Sequence, residues 1–469
     1  MKLIVSAPDS YPAEREYIFS VILKEFLGLD YVIQKIGGTD VCISDQDKKR
    51  RLVIPDGLFA IPQDKWLTKE SMPKQPLEIW DPCTLGFINS VALPSVPVIY
   101  GAYNVKLMHA DDHLCNDQEI WLPIDIFGSS FFMLTRYEEY VNPKRDQHDR
   151  FPATESLAYQ ECFLERPIIN EYIDLLWACL NKLLPGLKRR ERRFQAILSH
   201  DVDTPFAQAF SGIPQLIRNC GGDIIRRKSP ALALKRALSW KAIKQGNHIK
   251  DINYTFDRIM AISEKHNLKS AFYFKTFCTD PLYDDEYPIE HHYIRQLMSN
   301  IHKRGHEIGI HPSYNTYKDE KQTKLEFEKL LKVCKDERII QEKWGGRQHF
   351  LRWRVPLTWS NWSKAGIDYD STLTYAEHAG FRCGACYEYP VFDLVERKPL
   401  PLIEYPLIVM EGSILADTAM GLQGQKALDA IIMLKDRCKK YNGNFTLLWH
   451  NNSLIESGMW PLYEAIVSA

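Results

Sequence analysis

From residue 194 onward the hydrophobic pattern settles into a regular alternation. Short apolar runs at 194–198, 270–274, 307–310, 350–354, 403–409 and 445–449 read as strands. Between them, 254–265, 293–304, 321–334 and 425–441 place apolar residues at the helical period. Strands alternating with helices over so long a stretch predict an α/β fold, a parallel sheet closed into a distorted (β/α) barrel. In such a fold the reactive groups collect at the C-terminal ends of the strands.

The front of the chain is less regular. Strand-like runs at 2–5, 31–33, 51–54 and 95–100 are broken by Pro, Gly and Asp. Residues 126–140 predict a buried helical stretch, and 167–184 a helix with Ile168, Tyr172, Leu175, Leu176, Cys179 and Leu183 on one face. The basic cluster at 188–193 reads as a linker. Two units follow: an α/β or α+β accessory domain over 1–190, with no role assigned, and the barrel over 191–469.

The chemistry sits where predicted strands end. Ser199-His200-Asp201-Val202-Asp203 closes the first apolar run and is stopped by Thr204-Pro205. Residues i and i+2 of a strand share a face, so two carboxylates crowd one spot. A divalent cation held by one of them, with the other free as a base, resolves that repulsion. His311, Arg352 and His450 recur at the same kind of strand end, and Asp370 adds another carboxylate after Gly366-Ile367.

Composition narrows the class. With 45% hydrophobic and 25% charged residues over 469 positions, the chain reads as an ordinary globular protein. A net charge of −1 gives no reason to expect a nucleic-acid partner. The start, Met1 to Pro8, is too short and polar for a secretory leader, and no apolar run is long enough to span a bilayer. With 11 scattered cysteines, these features lead to the expectation of a cytoplasmic location. Cys383-Gly-Ala-Cys386 has no second pair to complete a zinc site, so it reads as structural. One segment departs from neutrality: 206–250 carries nine Lys and Arg against Asp223 alone, a local charge of +8. It reads as a basic insertion able to make a peripheral membrane contact.

These residues together resemble the polysaccharide deacetylases of the NodB-like (carbohydrate esterase family 4-like) group, over roughly the second half of the chain. The front part, with Phe127-Gly-Ser-Ser-Phe-Phe-Met-Leu-Thr-Arg-Tyr-Glu-Glu139 and Arg150-Phe-Pro-Ala-Thr-Glu-Ser-Leu-Ala158, resembles the N-terminal extension of a bacterial subgroup linked to surface polysaccharides. The resemblance implies a metal-dependent hydrolase acting on a carbohydrate, removing an N-acyl group, acetyl first, from an amino sugar. It implies Asp201 as catalytic base, Asp203 and His311 as metal ligands, Arg352 as the group orienting the base, and His450 as general acid. The family's second metal histidine falls on Asn315, a weaker donor for zinc, the expected metal. That departure leaves room for recruitment of His200 or His378, or for a catalytically silent barrel that binds glycans or acts as a scaffold. The resemblance also puts Tyr375, His378 and Arg382 on a pocket-shaping loop, and Trp449 is a candidate to stack on a sugar ring.

Overall fold

The protein is described by a computed structural model covering residues 2–88, 94–101, 115–207, 209–210, 212–284, 287–456 and 458–469. Within the basic insertion, Gln208 and Ser211 lie outside the described residues. The front unit holds β1 (Leu3–Pro8), β2 (Tyr31–Ile36), β3 (Asp40–Ser44), β4 (Arg51–Pro55), the small hairpin β5 (Glu78–Trp80) and β6 (Val96–Val98), and β7 (Glu119–Trp121). Five of these form one mixed sheet in the order β2-β1-β3-β4-β7. The predicted helix at 167–184 is observed as Ile168–Leu183, with its apolar stripe buried.

The second unit contributes β8 (Gln195–Val202), β9 (Ser270–Phe274), β10 (Glu307–Ile310), β11 (Gly345–Gly346), β12 (Tyr369–Asp370), β13 (Tyr389–Asp393), β14 (Lys398–Glu404), β15 (Val409–Met410) and β16 (Asn444–Leu448). They line up as β13-β14-β12-β11-β10-β9-β8-β16-β15. Every pairing is parallel except the edge pair β13–β14. Helices Phe256–Lys265, His292–Lys303, Glu320–Asp336 and Gly424–Lys440 fall within a few residues of their predicted spans.

The sheet is open, which corrects the expected closed barrel. Among the described residues no pairing joins the two edges: one is an antiparallel hairpin strand, and the other, β15, is two residues long. A second correction concerns 350–354. That apolar run is a short 3-10 turn (His349–Leu351) and a loop, and the strand lies five residues earlier, at Gly345–Gly346.

One continuous apolar cluster runs from Leu3 to Val467 through both units. Polar links cross the same boundary. Arg382 is held by Glu139 at 2.6 Å and donates to the Thr374 carbonyl, while Arg136 pairs with Glu138 and Glu139 and donates to the Arg382 carbonyl. Among the described residues no helix is long and apolar enough to cross a membrane. All eleven cysteines are in thiol form, with Cys383 and Cys386 both buried.

Candidate metal centre

Parallel pairing points the C-terminal ends of β8, β9, β10, β11, β15 and β16 the same way, so the residues after them meet. Asp201 sits near the end of β8 and Asp203 just beyond it. Lys275 follows β9, His311 follows β10, Arg347 follows β11, Glu411 follows β15, and His450 lies two residues past β16.

Asp203, His311 and His349 form a triangle of donor atoms. Asp203 Oδ1 is 3.3 Å from His311 Nε2 and 3.4 Å from His349 Nδ1, and the two ring nitrogens are 2.9 Å apart. Tetrahedral ligands at zinc bond lengths of about 2.0–2.1 Å stand roughly 3.3–3.4 Å from one another, so the spacing suits a small divalent ion.

Proton placement supports the same reading. His311 Nδ1 lies 2.7 Å from the Arg347 carbonyl and His349 Nε2 lies 3.0 Å from the Tyr283 carbonyl. A carbonyl can only accept, so both rings carry a proton on the outer nitrogen, and each neutral ring turns a lone pair inward. Asp203 Oδ1 is buried and accepts no hydrogen bond. With both rings neutral, three electron-rich atoms face one point. A bound cation would stabilise that arrangement.

The titration behaviour is consistent with this. Burial lowers the His349 pKa to about 4, outweighing Asp203, so the ring is neutral and able to ligate above that value. Burial alone would raise Asp203, but His349, His311 and Lys275 hold its carboxyl well below the usual range. Lys275 Nζ is itself buried without a hydrogen-bond partner.

Asp201 and His450 flank the triangle. Asp201 Oδ1 accepts from Arg347 Nη1 at 2.8 Å. Arg347 is fully buried and is fixed in turn by the Ser371 carbonyl and the Ser199 hydroxyl. His450 Nε2 is 3.6 Å from Asp203 Oδ2, and its Nδ1 donates to Glu411 Oε1 at 2.6 Å. Burial opposes the charged ring, yet Glu411 and the two aspartates raise the His450 pKa to about 10. Asp201 is thus held by a guanidinium and His450 by a carboxylate.

Four of the expected residues meet here: Asp201, Asp203, His311 and His450. Arg352 does not. It donates to the carbonyls of His148 and Tyr314 and lies 3.8 Å over the Tyr314 ring, clamping the front unit to the site wall. Arg347 takes its expected place beside Asp201, because the strand ends at Gly346 and not near 352. Asn315 is exposed, and its Oδ1 already accepts from Arg352 at 3.1 Å, so its side chain is committed elsewhere. The third donor is His349. His200 is buried against Phe272 with Nδ1 on the Trp449 carbonyl.

The expected substrate contacts also move. Tyr375, Arg382 and Trp449 are 1%, 2% and 0% exposed and have no surface to offer a sugar. Tyr375 and Arg382 belong to the ionic lock with Arg136 and Glu139, and Trp449 packs on Tyr463. His378 is half-buried against Tyr159. Asp370 is tied into the wall: it accepts from the Thr372 backbone N–H and hydroxyl, and that hydroxyl accepts from the Gln348 N–H next to Arg347.

The fold and the site thus define a largely parallel α/β protein with a candidate three-donor metal site at its strand ends. A profile described as a family of unknown function, DUF7033, matches residues 3–185, the front unit. A search of curated proteins finds none that matches. Among solved structures, a provisionally assigned polysaccharide deacetylase from Mycobacterium smegmatis is similar at 16% identity and a TM-score of 0.37. The similarity covers 60% of this chain and 84% of that one.

Proposed function

We propose that the protein is a metal-dependent amide hydrolase that removes an N-acyl group, acetyl first, from an amino-sugar substrate. The observation that carries this reading is the Asp203–His311–His349 triangle, set between an Arg347-held carboxylate and a Glu411-held imidazolium. A divalent ion held by these three residues would supply a Lewis acid for the amide carbonyl and for water. Zinc suits two nitrogens and one oxygen best.

The chain's own groups account for the proton movements. Asp201, oriented by Arg347, accepts the proton of the attacking water. His450, protonated through the neutral range, donates from Nε2 to the departing amine, while Glu411 keeps its proton-bearing edge turned inward. Lys275 follows β9 and adds positive charge beside Asp203. The sugar assignment is supported by the sequence resemblance, and the acid–base pair would serve a non-sugar amide equally.

A catalytically silent, glycan-binding scaffold was favoured by Asn315 alone. With His349 as third donor that motive is gone. The test is release of acetate from N-acetylglucosamine oligomers and nucleotide-linked N-acetyl sugars by protein supplied with zinc. Turnover abolished by Asp201→Asn supports the reading, and turnover unchanged by that substitution rejects it.

A further inference from the structure

The basic insertion folds into two helices, Ile213–Ile225 and Pro230–Lys244, standing out between β8 and β9. They are joined by a buried ion pair, Asp223 to Arg236 at 2.7 Å, and the second helix turns Ala233, Ser239 and Ile243 inward. At the foot of the hairpin His248 stacks on Tyr293 at 4.2 Å, and the Ile252 N–H binds the Ser239 hydroxyl. It is therefore anchored, and its outer surface has a defined face.

That face is apolar where water would be expected. Ile213, Ile217, Ile224, Ile225, Leu234 and Leu238 are 53–78% exposed. Ile213, Ile217 and Ile224 recur at i, i+4 and i+11, a single stripe of the first helix, and Leu234 and Leu238 lie one turn apart on the second. Around them Arg218, Arg226, Lys228, Lys235, Lys241 and Lys244 are exposed and form no ion pair among the described residues. The +8 of this segment stands in a chain whose total is −1.

Charge complementarity decides what covers this face. A second copy would bring +8 against +8. A nucleic acid would satisfy the cations and leave the isoleucines in water. An anionic bilayer satisfies both, with acyl chains for the apolar stripe and headgroups for the lysines. A cavity of 630 Å³ runs from the metal ligand Asp203 past Pro205 and Phe210 to Gln215, Asn219 and Arg227 of the hairpin.

We propose that this hairpin is a membrane-docking element that lays its isoleucine and leucine face into an anionic lipid surface, turning the Asp203 cleft toward substrates presented there. The consequence for substrate class, an amino sugar carried on a lipid anchor, rests on the hydrolase reading. The docking itself does not.

The test is co-sedimentation of the full chain with vesicles of phosphatidylcholine alone and of phosphatidylcholine mixed with phosphatidylglycerol. Binding is expected to the mixed vesicles only and to weaken with salt. It should fall about tenfold or more in Ile217→Glu/Leu238→Glu and in Lys235→Glu/Lys241→Glu. All four positions are exposed, so unchanged circular dichroism verifies the fold. No binding to mixed vesicles, or equal binding to both kinds, would overturn the proposal. So would full binding by the Ile217/Leu238 variant with loss in the lysine variant, since that marks contact with a polyanion without insertion. Because binding is read without turnover, a chain that binds vesicles yet hydrolyses no amide sinks the hydrolase reading alone.

Discussion

His311 Nε2 and His349 Nδ1 face each other across 2.9 Å, and because their other nitrogens are bound to carbonyls, the neutral rings turn their lone pairs inward. Asp201, Asp203, His311 and His450 were legible in the sequence, since each ends or follows a strongly apolar run. The partners that tune them were not, since Arg347, His349 and Glu411 carry no such flag. The pairing makes the two arginines distinguishable. Arg347→Met should lower kcat by about 10²–10⁴-fold, as loss of a positioned base does, because Asp201 loses its guanidinium partner. Arg352→Met should act mainly on stability, seen as a lower melting temperature with kcat changed far less. The reverse ranking in steady-state kinetics would contradict the assignment. His450 gives a pH signature. Its folded pKa of about 10 lies above the ordinary 6.5, so its stabilisation is full below 6.5 and lost as pH rises toward 10. In metal-free protein, denaturation curves across that window should show this loss, and His450→Gln should flatten it.

At the scale of elements, legibility followed hydrophobic signal. β9 and β10 are almost wholly buried runs and fall at their predicted positions. β11 is two glycines and carries no apolar signal, so the neighbouring run at 350–354 drew the strand to the wrong place and Arg352 into the wrong role. The glycines are required by close approach. A Cβ on Gly346 would lie 1.8 Å from the Ile310 carbonyl oxygen, and one on Gly345 2.3 Å from the Tyr369 ring. The turn that follows holds Phe350 and Leu351 at φ of 59° and 54°, left-handed strain tolerated where His349 must point inward. Gly346→Ala should therefore destabilise by at least about 1–3 kcal/mol and weaken cation binding. Gly305→Asn, at an open left-handed position, should be mild. Urea titrations that rank the two the other way would refute the close-packing account.

For the whole molecule, the sequence suggested two units but not their lock. The Arg136–Glu139–Arg382 network is buried, and one apolar cluster crosses the boundary. Periodicity cannot reveal contacts between residues so far apart, and the apparent pocket residues Tyr375 and Arg382 prove to be part of this joint. Glu139→Ala leaves the buried Arg382 guanidinium without a carboxylate and Arg136 with Glu138 alone, and should cost about 3–5 kcal/mol, read as a shift of a single cooperative unfolding transition. Two separate transitions in the wild type would show that the units fold independently. The most direct measurement of the central claim is metal stoichiometry by elemental analysis, with affinity by calorimetry, on wild type and single-alanine variants. The account predicts one divalent ion per chain, lost in Asp203→Ala, His311→Ala and His349→Ala and kept in Asn315→Ala. An ion kept without His349 and lost without Asn315, or no ion in the wild type under any loading condition, would contradict it.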